Sequence, residues 1–320
     1  MSISSNQMHF LWTEKYRPST LSEVVIPQEF KDALMRYVQD GKCPSFIFYS
    51  PEPGTGKTTT AKALVNDLGS TKLFINASTE NSIDTIRNLV AQFATTASLL
   101  SDSPIKVVIL DEADRLSPAA QDGLKGLIEE VAHLCSFILT CNNKAKLIDP
   151  LRSRCTEIDF IYTEEQQLEL STNMLKRMME ICKLEGVEFD PKALAQITKR
   201  CIPDNRKLLQ TVQKYKDQYG KIDSGILAVS QAQDVGTLVA ALKGQAFKST
   251  LQWALDNADS IGDDFYRYIY NALKDAVSDQ THAQLILTLN DYQRHHNTVP
   301  DRFLHLSSMC TQIMIESKFK

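Results

Sequence analysis

The sequence lacks the features that mark several common classes of protein. None of its 7 cysteines forms a Cys-x-x-Cys pair, so zinc-ribbon spacing is absent. No apolar run approaches the ~20 residues needed to cross a bilayer. The N-terminal residues have neither the basic start nor the apolar stretch of a secretory signal. We therefore expect a cytoplasmic protein with no membrane contact, whose cysteines stay reduced and serve as small hydrophobic residues.

An excess of positive charge is also missing. The chain has 35 lysines and arginines against 39 aspartates and glutamates, which gives a formal net charge of −4. A protein that binds nucleic acid through a generally basic surface is therefore excluded, and any contact with DNA must use a local patch or one shared by several subunits. The chain has no internal repeat and no low-complexity tract. Its 320 residues, 43% of them hydrophobic, are enough for two or three globular domains.

Short apolar runs alternate with helical patterns up to about residue 160. The runs are apolar for most of their length, as expected for strands buried on both faces of a sheet. They comprise Phe46–Tyr49, Leu73–Asn76, Lys106–Leu110 and Phe137–Thr140. Helical patterns separate them at Gln28–Gly41, Lys57–Gly69, Ser82–Ser98 and Pro118–His133. Strands that alternate with helices predict an α/β domain with a parallel sheet built from crossover units.

The pattern changes after residue 160, where the sequence becomes helical in character. Three helices are predicted at Glu164–Lys183, Pro191–Cys201 and Pro203–Gly220. Thr163 precedes the first of them as a cap, with Gln166 at the reciprocal position. The two prolines occupy first-turn positions, where a missing N–H does no harm. These features predict a small three-helix domain.

A further helical region runs from about residue 230 to the end of the chain. The small and polar segment Ser230–Gly236 is interpreted as a joint before it. Three domains are therefore predicted, at residues 1–162, 163–229 and 230–320. The aromatic residues of the last region are expected to lie mostly in its core, with some between subunits; they are Trp253, Phe265, Tyr266, Tyr268, Tyr270, Tyr292 and Phe303.

A glycine-rich loop follows the strand Phe46–Tyr49 and opens the next helix. This is the context of a Walker A loop, in which backbone N–H groups and a helix N-terminus hold phosphates. Lys57 can reach the β- and γ-phosphates, and the Thr58 hydroxyl can bind Mg²⁺. Pro51 stands in place of the first glycine of the usual pattern. That glycine helps the chain turn after the strand and does not contact phosphate, and a proline can also form a tight turn. The predicted nucleotide-binding residues of the loop are Pro53, Gly54, Thr55, Gly56, Lys57, Thr58 and Thr59.

The strand Lys106–Leu110 is followed by two carboxylates, Asp111 and Glu112. Because the carboxyl ends of parallel strands meet the ligand, Asp111 is predicted to hold Mg²⁺, directly or through water. Glu112 is predicted to orient and deprotonate the attacking water. The letters Asp-Glu-Ala-Asp also occur in a class of helicases, but such helicases need two α/β domains and one is predicted here. The two motifs together predict that the chain binds and hydrolyses ATP with Mg²⁺.

Further segments carry a family resemblance. They are Trp-Thr-Glu-Lys-Tyr-Arg-Pro at 12–18, the strand before Asn142, Pro-Leu-Arg-Ser-Arg-Cys at 150–155, and the start of the third helix of the small domain at 203–209. With the two motifs above, they make most of residues 10–220 similar to the ATPase subunits of sliding-clamp loaders. These subunits belong to the AAA+ class and include the small subunits of replication factor C. The resemblance implies an AAA+ nucleotide-binding domain, a helical lid and an oligomerising helical collar for the three predicted domains.

The resemblance also implies roles for single residues. Asn142 would be sensor 1, which hydrogen-bonds the attacking water or the γ-phosphate. Arg206 would be sensor 2, which reads the γ-phosphate from the lid. Arg154 would be the arginine finger, directed at ATP in the neighbouring subunit, a contribution worth ~10³–10⁵ in rate when supplied in trans. Four residues would lie against the adenine: Tyr16, Arg17, Val24 and Val25.

Two details narrow the branch of the family. The bacterial ATPase subunit carries a zinc module with clustered cysteines, which this chain lacks. The Ser-Pro-x-Pro-Gly-Thr-Gly-Lys-Thr form at 50–58 resembles the large ATPase subunit of T4-type bacteriophage clamp loaders, which would place the protein in the cytoplasm of a host cell. Asn81 stands where related subunits carry an arginine that contacts DNA.

The resemblance implies several partners. These are a ring-shaped sliding clamp, primer–template DNA, further copies of the chain and a distinct small subunit in a pentameric spiral. Arg87, on a helix that Ser82 is predicted to cap, and Lys125 match positions that face DNA. Leu99 and Leu100 match positions at a helix end that contacts the clamp in the family. Exposed leucines at the tip of a helix would suit an apolar pocket on such a partner. The alternative that these leucines tuck under the sheet stays open.

Two other functions are compatible with an AAA+ chain. A non-hydrolysing scaffold subunit would lose the lysine, the acidic pair or the sensors, all of which are present. A branch-migration motor, or another DNA-remodelling ATPase, is disfavoured by the Ser-Arg-Cys element at 153–155 and the start at 14–18. The sequence therefore favours a motor that uses ATP to open a clamp and place it on primer–template DNA.

Overall fold

The four predicted strands lie side by side in one parallel sheet in a computed structural model, which describes residues 9–80, 82–95, 105–258, 261, 265–296 and 298–319. The chain forms two units, one ending at Ile222 and the other beginning at Asp223. Within the described residues, no helix is both long enough and apolar enough to cross a membrane.

The first unit contains a five-stranded sheet with helices on both faces. The strand order is β2-β3-β4-β1-β5, and neighbouring strands run parallel. Its strands and α-helices, in chain order, are α1 (Trp12–Lys15), α2 (Gln28–Gln39), β1 (Phe46–Tyr49), α3 (Lys57–Asp67), β2 (Thr71–Asn76), α4 (Ile83–Thr95), β3 (Lys106–Asp111), α5 (Pro118–Glu130), β4 (Cys135–Cys141), α6 (Asp149–Arg152), β5 (Thr156–Asp159), α7 (Glu164–Leu184), α8 (Pro191–Cys201) and α9 (Asn205–Tyr219). The predicted α/β class is confirmed, while α1 and β5 were not predicted.

The three central strands, β3, β4 and β1, are buried on both faces of the sheet, which explains their near-continuous apolar sequences. Successive side chains of a strand point to opposite faces, and the two core clusters follow this alternation. Ile47 and Leu139 pack in one cluster with residues of α4 and α5. Phe46, Phe48 and Ile138 pack in the other with residues of α2 and α3. In the described part of the chain the sheet is a single one, so the two-domain helicase arrangement is not present there.

The three helices after the sheet form, with one correction. The predicted capping box at Thr163 is confirmed by reciprocal bonds with Gln166. Helix α8 begins at Pro191, as predicted. Helix α9 begins at Asn205, so the prediction that Pro203 starts it is wrong. The carboxylate of Asp204 accepts the Lys207 backbone N–H at 2.9 Å, and an aspartate that bonds in this way is a favourable N-cap.

The second unit is helical, as predicted. Its core contains or contacts all seven aromatic residues that the sequence placed there. The segment Ser230–Gly236 lies inside a helix, so the joint predicted there is wrong; it contains no proline that would break a helix. The domain limits at 162 and 229 stay predictions. The helices are α10 (Gly225–Lys243), α11 (Phe247–Asn257), α12 (Phe265–Leu273), α13 (Asp279–His295) and α14 (Arg302–Glu316).

Candidate active site

The strand order brings three functional segments together. Strand β4 lies between β1 and β3, so the glycine-rich loop after β1, the carboxylates at the end of β3 and Asn142 after β4 meet at one edge of the sheet. They open onto a cavity of about 270 Å³. The sequence-predicted residues that line it are Tyr16, Arg17, Val24, Val25, Pro53, Gly54, Thr55, Gly56, Lys57, Thr58, Thr59, Asp111, Glu112, Asn142 and Arg206.

The glycine-rich loop has the backbone form that its composition requires. Gly54 and Gly56 have φ angles of 72° and 97°, in the left-handed region that glycine adopts at little cost. Helix α3 begins at the next residue, so its free N–H groups and positive dipole end face the cavity. At Gly54 a Cβ atom would lie 1.7 Å from Oδ1 of Asp204, so only glycine fits there. The loop is thus suited to bind phosphate.

The side chain of Lys57 is held inside the loop. Its Nζ donates to the carbonyl oxygens of Glu52 at 3.0 Å and Ser50 at 3.4 Å. Burial lowers the pKa of Lys57 to about 8, against the opposing influence of nearby acidic groups that include Asp111. Phosphate oxygens can replace these carbonyl acceptors and would compensate the buried positive charge.

Two hydroxyls hold the carboxylate of Asp111. Its Oδ1 accepts from Thr58 Oγ1 and from Thr140 Oγ1, each at 2.6 Å. The Thr140 oxygen also accepts the backbone N–H of Glu112 at 3.1 Å. Glu112 has a φ of 56°, which costs a non-glycine residue ~1–2 kcal/mol. Thr140, which the sequence reading missed, therefore fixes both acidic residues at once.

The oxygen donors fit Mg²⁺ bound together with a nucleotide. The described residues contain no group of three or more His, Cys, Asp or Glu that could hold a metal by themselves. Mg²⁺ keeps several waters and takes one or two protein ligands plus phosphate oxygens. Asp111 and the Thr58 hydroxyl, 2.6 Å apart at the phosphate loop, supply such a pair.

The segment expected to lie against the base is fastened to helix α7. Arg177 is buried and donates to the carbonyl oxygens of Tyr16 at 2.8 Å and Glu23 at 2.9 Å. The Tyr16 hydroxyl donates to the Glu185 carboxylate. Arg177 also lines the cavity. Neither Arg177 nor Glu185 was singled out from the sequence, because both lie more than 150 residues beyond Tyr16 and carry no motif.

Helix α9 contacts the phosphate loop through its first residue. The Asn205 N–H donates to the Gly54 carbonyl at 3.1 Å, and Arg206, the next residue, lines the cavity. Lys62 lines the same cavity, with its Nζ 4.1 Å from the centre of the Phe74 ring. Lys62 and Phe74 were also missed by the sequence reading. The cavity thus combines several cations with two carboxylates, a combination suited to a polyphosphate with its metal ion.

Arg154 lies elsewhere. It is exposed and is not among the described residues that line the cavity. Its guanidinium pairs with the carboxylate of Glu129 on α5, and its Nη1 donates to the Pro150 carbonyl at 2.6 Å. The chain therefore presents this cation on its surface instead of at its own site.

The predicted DNA-facing residues lie on two neighbouring helices. Arg87 is exposed on α4, and Lys125 is partly buried on α5 with Asp122 at 3.1 Å. The two helices approach each other closely at Gly123 of α5, where an added Cβ atom would lie 2.7 Å from the Ile83 side chain of α4. The predicted clamp-contacting leucines, Leu99 and Leu100, lie outside the described residues.

Two family models match the first unit and the start of the second. Residues 47–162 match the ATPase family associated with various cellular activities (AAA). Residues 166–228 match the AAA+ ATPase lid domain of the sliding-clamp-loader large subunit. Among solved structures, the Holliday junction branch migration motor RuvB of Thermotoga maritima is similar with a TM-score of 0.51 and 22% identity, covering 70% of this chain and 79% of that one. That likeness concerns the fold alone.

Similarity to curated relatives extends over nearly the whole chain. The sliding-clamp-loader large subunit of Enterobacteria phage T4 is 33% identical over 99% of this chain and all of its own length. The replication factor C small subunit of Saccharolobus solfataricus is 35% identical over 91% of this chain and 88% of its own length. With the catalytic motifs gathered around one cavity, these similarities show that the chain is an AAA+ ATPase that belongs to the family of sliding-clamp-loader large subunits and replication factor C small subunits.

Proposed function

We propose that this ATPase is the hydrolysing subunit of a clamp loader in DNA replication, which opens a ring-shaped clamp and places it on primer–template DNA. One observation carries the proposal. The phosphate loop, the acidic pair, Asn142 and Arg206 line one cavity, while Arg154 lies on the surface away from it. This is the arrangement expected of a chain that binds ATP by itself and hydrolyses it with help from a neighbour.

Each cavity residue has a task in this proposal. Lys57 leaves its carbonyl acceptors and binds the β- and γ-phosphates. Asp111 and Thr58 hold Mg²⁺, which when bound neutralises phosphate charge. Glu112, fixed through its backbone by Thr140, takes the proton of the attacking water, which Asn142 orients. Arg206 binds the γ-phosphate and so closes the lid on it.

The surface position of Arg154 supports a finger that acts between subunits. We assign its guanidinium to the ATP of the neighbouring subunit, where a cation stabilises the transition state of phosphoryl transfer. To reach that ATP, the Arg154 side chain must break its ion pair with Glu129. This pair is exposed, and exposed ion pairs contribute little stability. Further copies of the chain and a distinct small subunit would complete a pentameric spiral.

Residues away from the cavity supply the contacts with DNA and clamp in this proposal. Arg87 on α4 and Lys125 on α5 bind the DNA backbone, and the N-terminus of α4 adds a positive dipole end that favours phosphate. Leu99 and Leu100 enter an apolar pocket of the clamp. ATP binding assembles the spiral around DNA and clamp, and hydrolysis releases the clamp.

Assembly with the clamp tests this proposal. The chain, together with its small subunit, should co-elute with the sliding clamp from the same source when a non-hydrolysable ATP analogue is present, and not without it. Lys57→Ala should abolish both analogue binding and co-elution. Lys72→Ala, which removes an exposed lysine of β2 outside the cavity, is the control and should behave as wild type. Co-elution by Lys57→Ala at wild-type levels would contradict the proposal.

A further inference from the structure

A carboxylate joins the loop after β4 to the helix that precedes Arg154. The Oε2 atom of Glu157 accepts from Lys144 Nζ at 2.6 Å, and its Oε1 atom accepts from Arg152 Nε at 2.8 Å. Lys144 lies two residues after Asn142, and Arg152 lies two residues before Arg154. One side chain on the edge strand β5 therefore bonds to the two segments that carry sensor 1 and the finger.

The lysine side of this network is anchored to the nucleotide-binding sheet. Lys144 also pairs with Asp159, and its Nζ lies 4.8 Å from the centre of the Tyr49 ring, at the end of β1. Its side chain is 19% exposed and that of Glu157 is 27% exposed. Charge-assisted bonds between partly buried groups with several partners are stronger than isolated surface pairs.

The arginine side of the network is more exposed to solvent, with 34% of the Arg152 side chain accessible. Arg152 is the last residue of α6, a helix of four residues, and its other ion-pair partner is the fully solvated Asp149 at 3.5 Å. The bonds from Arg152 and from Lys144 lower the pKa of Glu157, so this carboxylate is ionised at neutral pH. Glu157 therefore offers an ionised acceptor to Arg152, two residues before Arg154.

We propose that Glu157 is a positioning residue for the reaction in the neighbouring subunit: it fixes α6 against the sensor-1 loop and so aims Arg154 at the neighbour's ATP. The inference rests on the proposed trans role of Arg154. A reacting group displaced by ~1 Å can cost ~100-fold in rate, so a carboxylate that never touches nucleotide can control hydrolysis next door.

A directional mixing experiment tests this inference. The donor chain carries Glu112→Gln, so it keeps its finger and has no catalysis of its own. The acceptor chain carries Arg154→Ala, so it keeps its catalytic residues and has no finger. In mixed assemblies with clamp and primer–template DNA, hydrolysis comes from acceptor sites that face donor fingers.

Adding Glu157→Gln to the donor should lower the rate of phosphate release ~10- to 100-fold. The same change in the acceptor, whose finger is already absent, should lower it less than ~3-fold.

Two further variants act as controls. Asp159→Asn in the donor removes one carboxylate partner of Lys144 and leaves the Arg152–Glu157 bond intact, so the rate should stay within ~2-fold. Arg152→Gln in the donor also breaks the Arg152–Glu157 bond, so it should lower the rate of phosphate release as much as Glu157→Gln does. The two changes together should cost no more than either alone, because they remove one interaction.

The outcomes separate this inference from the proposed function. If the unmodified donor and acceptor fail to hydrolyse ATP when mixed, the trans finger itself is refuted, and the inference with it. If they do hydrolyse ATP, and Glu157→Gln and Arg152→Gln in the donor leave the rate unchanged, Glu157 has no positioning role. An equal loss from donor and acceptor would also overturn the inference, because it would show a general effect on the fold or on the chain's own site.

Discussion

The two arginines assigned to phosphoryl transfer lie in opposite surroundings. Arg206 lines the cavity, one residue after an amide bonded to the Gly54 carbonyl, so it lies beside the chain's own phosphate loop. Arg154 lies on the surface and pairs with Glu129. The fold thus gathers residues from Tyr16 to Arg206 around one cavity, and Arg154 lies outside it. A single chain should therefore bind nucleotide well and hydrolyse it slowly.

The largest effect should come from the base inside the cavity. Glu112→Gln keeps the Thr140 bond to its backbone and removes the proton acceptor, so kcat should fall ~10³-fold while ATP affinity is unchanged. Phosphate release in the assembled complex and nucleotide binding by the free chain measure the two quantities. Glu130→Gln, an exposed carboxylate at the end of α5, should leave both as in wild type. Near-wild-type hydrolysis by Glu112→Gln would refute the assignment of the base.

Removal of the surface arginine, Arg154, should have the next largest effect. It should lower hydrolysis only in the assembled complex. Arg154→Ala should lower hydrolysis in the complex ~10²- to 10³-fold, because it removes charge stabilisation from the neighbour's transition state. Nucleotide binding by the free chain should not change, since Arg154 does not contact its own cavity. Arg36→Ala, an exposed arginine on α2, is the control. A weaker affinity of the isolated Arg154→Ala chain for ATP would place this residue in its own site.

A smaller effect should come from the hydroxyl that joins the two carboxylates. Thr140→Val keeps the shape of the side chain, removes the proton donated to Asp111 and leaves the Glu112 N–H without its acceptor, a loss worth ~1–3 kcal/mol. We expect kcat to fall about 10-fold with little change in ATP affinity, and Thr140→Ser to restore it. Equal kcat values for Thr140→Val and wild type in steady-state assays would show that this hydroxyl does not position the acidic pair.

An effect of similar size should be a pH dependence of nucleotide binding. Lys57 has a pKa of about 8 in the free chain, so it is protonated below pH 8 and loses its proton above it. Phosphates bind the protonated form, and ATP affinity should therefore fall about 10-fold between pH 7 and pH 9. Lys57→Arg stays charged over this range, so its affinity, although altered, should not vary with pH. Titration calorimetry at several pH values measures both, and a flat profile for wild type would contradict the lowered pKa.

The sequence predicted the sheet and the cavity well because both depend on local patterns. Buried strands are apolar runs, and the glycine-rich loop and acidic pair follow them directly. Strand β5 was missed because Thr156–Asp159, at the edge of the sheet, contains a single apolar residue and so does not form an apolar run. Thr140 was missed because a threonine at the end of a strand has no motif, and its role appears only when β3 and β4 are paired.

Contacts between residues far apart in the sequence could not be predicted for a similar reason. Arg177 lies on α7 and Glu185 is the residue after it, and no motif in the sequence marks either of them. Their contacts with Tyr16 and Glu23 depend on how α7 packs against the N-terminal segment. The Glu157 bridge between Lys144 and Arg152 depends likewise on the edge position of β5. Patterns along the chain predicted which groups would react, while the contacts that position those groups became visible only in the fold.

Mixing two inactive chains decides whether the site is shared between subunits. One chain carries Arg154→Ala with an intact Glu112, and the other carries Glu112→Gln with an intact Arg154. Each assembly alone should be nearly inactive. When they are mixed with clamp and primer–template DNA, interfaces that join the intact Arg154 to the intact Glu112 should hydrolyse ATP, so phosphate release should return to a substantial fraction of the wild-type rate. If sizing confirms mixed assemblies and no activity returns, Arg154 does not act in trans and the shared site is refuted.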